Sequence, residues 1–180
     1  MQIRYALGRR LFTLCLLPLV LAGCTGTPEG VRPVNGFGLE RYLGTWYEMA
    51  RLDHPFERGL TDVSATCSPR PDGGVEVLNR GYDTAKGRWK EARGRACFLD
   101  GPEVGSLKVS FFGPFCGGYH VFALDPDYRW VLVGGYDHDD LWILARERQL
   151  PEAVLKELLA RARNAGSATD ALIFTGGAAI

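Results

Sequence analysis

The chain has 180 residues, enough for one domain with a short tail. Its 46% apolar and 23% charged content is that of a globular protein with a core, which excludes extensive disorder. The 21 basic and 21 acidic groups balance, and no Lys/Arg run or basic patch is present, so nucleic acid is excluded as a partner.

The first element is a leader. Arg4, Arg9 and Arg10 make a positive start, and Leu11 to Leu21 is an apolar run too short to span a membrane. These are the only charges before Glu29, so the chain without them is about three charges negative. Leu21-Ala22-Gly23-Cys24 resembles the bacterial lipobox. That resemblance implies cleavage before Cys24, a diacylated sulfur and an acylated new amine. Cys24 is then the lipid anchor, and each buried methylene contributes about 0.8 kcal/mol. Thr25, in place of the Asp of an inner-membrane retention signal, is similar to outer-membrane sorting, with the domain on the periplasmic side. Gly8-Arg9-Arg10-Leu11-Phe12 partly resembles a twin-arginine signal, so that route and ordinary Sec export both stay open. The expected division is a signal peptide at 1–23, a lipidated N-terminus and tether at 24–36, a folded domain at 37–176 and a tail at 177–180. Residues 25–36, TGTPEGVRPVNG, read as a flexible tether that lifts the domain off the membrane.

Leu39 to Leu43 reads as a short helical turn. Strands are expected at 45–52, 61–69, 74–81, 89–98, 106–112, 119–124, 130–134 and 141–146, separated by turn chemistry such as Pro71-Asp72-Gly73-Gly74 and Asp125-Pro126-Asp127. Val154, Leu155, Leu158, Leu159 and Ala162 recur at helical spacing after Pro151, and Gly166 is the expected stop. Residues 171–175 read as a last short strand. Eight short strands match the smallest barrel that can hold one ligand, and one helix is left to pack outside it.

Gly44-Thr45-Trp46 opens the first strand and resembles the G-x-W signature of the lipocalin family. Asp125-Pro126-Asp127-Tyr128 is similar to the family's Thr-Asp-Tyr motif, although the Thr is missing. Arg146 ends the eighth strand where the family carries an Arg. Phe56-Glu57-Arg58-Gly59, Lys108 to Phe115 and Leu141 to Arg146 are closest to the bacterial subgroup, which also resembles apolipoprotein D. The likeness covers about residues 35–175. It implies an all-β, eight-stranded antiparallel up-and-down barrel with a C-terminal helix outside. Trp46 is expected to plug its closed end under the Arg146 guanidinium, with Gly44 and Tyr128 in the same structural signature.

Alternation from Trp46 sends Glu48 and Ala50 inward, and alternation from Arg146 sends Leu144 and Trp142 inward. Leu107, Val109 and Phe111 form another inward row. Tyr119 and Tyr136 are expected near the rim of the mouth, which is built by 53–60, 83–88, 113–118 and 135–140. Glu48 either meets ligand or pairs with a mouth arginine such as Arg51; the residues leave both open. The bacterial subgroup's ligands imply a fatty acid or lysophospholipid here, with Trp142 as its strongest contact. The function expected is therefore storage or transport of single-chain lipids by a membrane-anchored, non-enzymatic protein.

Strand arithmetic places Cys67 opposite about Leu78, with Cys97 and Cys116 out of its reach. Free thiols are expected, or one intermolecular bridge and with it a homodimer. A thiol-dependent enzyme using Cys67, and a structural lipoprotein without ligand, stand as alternatives. Asp137-His138-Asp139-Asp140 reads as a solvated turn, and no motif asks for a metal or cofactor.

Overall fold

The structure is a computed structural model that describes residues 24–176. The expected signal peptide and tail fall outside the described residues. Eight strands run β1 (Gly44–Arg51), β2 (Leu60–Pro69), β3 (Val75–Asp83), β4 (Arg88–Phe98), β5 (Ser106–Phe112), β6 (Phe115–Leu124), β7 (Trp130–Gly134) and β8 (Leu141–Ala145). Each pairs antiparallel with the next, and β1 pairs with both β2 and β8, so the sheet closes into a barrel. Closure leaves no long strand edge for another chain to join. A short helix, α1 (Leu39–Tyr42), precedes β1, and α2 (Glu152–Asn164) follows β8.

Strand alternation divides the apolar residues into two cores. The inner one draws Trp46, Cys67, Val75, Ala96, Leu107, Val121, Val133 and Leu144 from all eight strands. The outer one collects Ala50, Ala123, Leu132, Ile143 and Ala145 beneath Leu158 and Ala162 of α2. Gly166 ends the helical run at φ +99°, a conformation that suits glycine, as its place in the sequence suggests. The last strand, β9 (Ile173–Phe174), pairs with Ala50 and Arg51 of β1.

Three details differ from expectation. β6 starts at Phe115, not 119, because Gly117 and Gly118 pair with Val109 and Lys108 instead of breaking the strand. The supposed 113–118 loop is thereby a tight turn at Gly113-Pro114, with a cis peptide between them. The expected free tether is docked. Val34 N donates to Val121 O, Gly105 N donates to Val34 O, and His120 Nε2 donates to Gly26 O at 2.9 Å.

The third difference is a bulge in β1. Glu48 faces Leu144 across the strands and Ala50 faces Ile143, so Met49 is the extra residue. Alternation reverses past it. Ala50, expected inward, lies in the outer core, and Arg51 takes the inward place opposite Trp142.

Candidate functional site: the barrel interior

The closed end is built by the residues the sequence singled out. Trp46 is fully buried and donates its indole N–H to Tyr42 O at 2.9 Å. The Arg146 guanidinium carbon lies 3.8 Å from the indole centre. Arg146 also donates to Thr45 O at 2.9 Å, Arg41 O at 2.8 Å and Tyr128 O at 3.3 Å. Gly44 has φ +92°, a conformation that disfavours a side chain, and a Cβ there would lie in van der Waals contact range of Arg146 Nη1. The Tyr128 hydroxyl accepts from Gly38 N, while Asp125 accepts from the backbone N–H groups of Asp127 and Arg129 and shapes that turn. These four signature residues, Gly44, Trp46, Tyr128 and Arg146, meet at the base.

Above this floor the wall changes character. Val77, Val109, Phe111 and Trp142 face inward yet keep part of their surface accessible, whereas Trp46, Val121, Val131 and Val133 are sealed. The upper interior is thus less completely packed than the floor. The Phe111 ring lies against Gly94, where a Cβ would come within 2.7 Å of it, so glycine is required for the ring to sit flat on the wall. Leu144 lies between floor and mouth. Tyr119, expected at the rim, instead points downward, its hydroxyl 2.6 Å from that of Tyr42, which stacks on Trp46. Tyr119 directly follows the glycine pair as the fifth residue of β6, and the earlier start of that strand carries it deeper than a rim residue. Tyr136 is at the rim and exposed, as expected.

Near the mouth, a polar cluster crosses the apolar cup. Arg51 is only 2% exposed and donates to Glu48 Oε1 at 2.5 Å and to Glu57 O at 2.8 Å. Trp142 donates its indole N–H to Glu57 Oε2 at 2.9 Å. Of the two readings of Glu48, the arginine pairing is present. Burial and the nearby Glu57 carboxylate push Glu48 up to about 7, against the pull of Arg51 and of the Thr175 hydroxyl. Burial also raises Glu57, offset by Trp142 and Arg51. Glu57 rides on the segment 52–59, which folds back over the opening. His54 extends this cover, its ring 5.7 Å from Trp142 and its Nε2 3.6 Å from Asp140 Oδ1.

The sequence offers Arg51 as a partner for Glu48 but not its place inside the cup, because a bulge leaves no mark in an alternating pattern. Glu57 is legible only as part of a motif, because a loop carboxylate gives no sign of bending back inside.

Cys67 faces inward opposite Val77, one residue from the expected partner. Burial pushes its thiol up to about 11, so the thiolate that nucleophilic chemistry needs is disfavoured. Cys24, Cys67, Cys97 and Cys116 are all free in the monomer. A crevice of about 260 Å3, lined by Tyr47, Glu48, Asp62, Arg148 and Thr175 among others, lies where β1 and β2 part and meets the mouth cluster at Glu48.

A family model described as Lipocalin-like domain matches residues 37–176. The chain is a lipocalin. This lipocalin is 48% identical over 166 residues to "Outer membrane lipoprotein Blc" of Vibrio cholerae, covering 92% of this chain and 97% of the relative. It is 32% identical over 164 residues to "Apolipoprotein D" of Cavia porcellus, covering 80% and 86%. Its fold matches insecticyanin from the tobacco hornworm with a TM-score of 0.67 at 19% identity, covering 83% of this chain and 86% of that one. The lipocalin is thus an outer-membrane lipoprotein with the family's cup for hydrophobic ligands. Among the described residues no helix is long and apolar enough to cross a membrane.

Proposed function

We propose that this lipocalin holds one single-chain lipid, a fatty acid or a lysophospholipid, and stores or carries it at the membrane to which acylated Cys24 attaches the protein. The observation that carries the reading is the incompletely covered apolar lining above a sealed floor. An acyl chain would cover Val77, Val109 and Phe111, gaining about 0.8 kcal/mol per methylene buried. Its head would stop at the level of Arg51, Glu48, Glu57 and Trp142, where charged and hydrogen-bonding groups can meet it, with Tyr136 at the rim.

The apolar lining favours binding over chemistry. The raised Cys67 thiol has no acid–base partner among the groups that shift it, so the thiol-enzyme alternative has little physical support.

Native mass spectrometry of the full acylated protein, released gently from membranes, tests the reading. A co-purified species with the mass of a fatty acid or lysophospholipid supports it. Protein free of bound lipid, and unable to take up an added lysophospholipid, would favour a purely structural lipoprotein.

A further inference from the structure

The docked N-terminal segment and the rim aromatics together indicate which way the mouth faces. Cys24 O accepts from Gly118 N at 2.8 Å, beside the mouth end of β6. From there the segment descends the outer wall through Gly26 at His120 and Val34 at Val121 to Phe37, whose N–H donates to Glu103 O at the base. Val31 is buried along the way. Cys24 is therefore held level with the rim, and its acyl chains would leave the protein beside the open end. A free tether of this length would wander over roughly 20 Å and fix no orientation.

The rim itself is apolar where the anchor emerges. Phe56, Phe112 and Phe115 are 62%, 59% and 77% exposed. Phe56 and Phe112 lie 5.6 Å apart and join the 52–59 segment to the β5–β6 turn in one patch. From Val109 to Tyr119 the chain carries no charged residue. Among the described residues, seven of the eight exposed large apolar side chains lie in the mouth half, and only Leu99 lies at the base. Exposed apolar groups gathered at one end mark a contact surface. The acidic turn at 137–140 borders this patch: Asp140 Oδ1 lies 3.6 Å from His54 Nε2, whose ring is 4.8 Å from that of Phe56, while His138 packs against Gly166 on the side of α2.

We propose that the mouth of the barrel rests on the lipid surface that holds the anchor, with Phe56, Phe112 and Phe115 seated among the headgroups. The inference rests on acylation at Cys24 and on the cup being the lipid site. It adds a route: a single-chain lipid enters the cup from the bilayer without crossing water.

The test uses the full acylated protein in phosphatidylethanolamine–phosphatidylglycerol vesicles with brominated acyl chains. Phe115→Trp adds a fluorophore at the rim and Leu99→Trp adds one at the base. The expected result is about twofold or stronger quenching of the emission added at 115, as for a ring roughly 5–10 Å into the headgroup layer, with none at 99. Equal quenching at both sites, or none at 115 because water or a second copy covers the patch, overturns the orientation. A second measurement uses acyl-free Cys24→Ser protein. Phe112→Ser with Phe115→Ser should lower its partition onto the same vesicles, without bromine, by about tenfold, and Leu99→Ser should not. Equal loss from both changes overturns the proposal. Lysophospholipid binding in solution should survive the rim changes. Its absence from wild type, with rim insertion intact, would remove the cup reading and leave the orientation standing.

Discussion

Arg146 lies over Trp46 with 3.8 Å between the guanidinium carbon and the indole centre, and the same side chain ties together the backbones of Arg41, Thr45 and Tyr128. One residue thus joins the end of β8, the start of β1, α1 and the β6–β7 turn. A lysine can supply the charge but not the planar fork. Arg146→Lys is expected to destabilise the fold by about 1–3 kcal/mol, read as a lower urea midpoint. Lysophospholipid affinity should stay the same, because the contact lies beneath the floor. An unchanged midpoint would mean that the base is closed by something else.

Gly94 and Phe111 form a second coupled pair. Gly94→Ala would place a methyl within 2.7 Å of the ring and force it off the wall. The expected cost is about 1–3 kcal/mol. Adding Phe111→Leu should recover most of it, since the smaller side chain can move aside. A double variant no more stable than Gly94→Ala alone would show that the glycine serves another purpose.

Burial raises Glu48 to about 7 in the folded state, above its value in the unfolded chain. The folded state therefore binds the proton more tightly. Its contribution is fully present below about pH 4.5 and falls as pH rises through about 7, after which stability is level with respect to this group. Glu57 is raised too and tilts the curve in the same direction. Glu48→Gln should flatten the decline between about pH 5 and 7 by on the order of 1–3 kcal/mol in denaturant titrations. If the variant kept the wild-type slope, Glu48 would be ionised throughout, and its pairing with Arg51 would outweigh burial.

Trp142 faces the cup and donates to Glu57, so it joins the apolar wall to the cover over the mouth. Trp142→Ala is expected to weaken lysophospholipid binding by about tenfold while circular dichroism shows the barrel intact. Equal affinity would move the ligand away from β8.

Cys67 should be the slowest thiol. In native protein an alkylating reagent should label the half-buried Cys97 and Cys116 first, and Cys67 only after unfolding. Early loss of Cys67 would reopen the case for thiol chemistry in the cup.

The parts of the fold legible in the sequence are those set by local pattern. Alternating apolar positions and turn residues placed the eight strands, and Gly44, Trp46, Tyr128 and Arg146 marked the base. What stayed hidden depends on contacts distant in the chain. The Met49 bulge exchanges Ala50 for Arg51 inside the cup, yet the alternation before and after it looks ordinary. Gly117 and Gly118 resemble strand breakers and become paired once β5 lies beside them. The segment 24–36 has the composition of a linker, and residues far along the chain, Gly105, Gly118, His120 and Val121 among them, give its backbone somewhere to bond. Glu57 was visible as part of a motif, but its inward turn depends on Trp142 and Arg51 waiting in the barrel.

Calorimetric titration of the delipidated protein with lysophosphatidylethanolamine tests the lipid-cup claim most directly. Saturable binding with one ligand per barrel, abolished when Val109→Trp fills the lining, is the expected result. Heats that never saturate, or one-to-one binding that survives the filled lining, would contradict it.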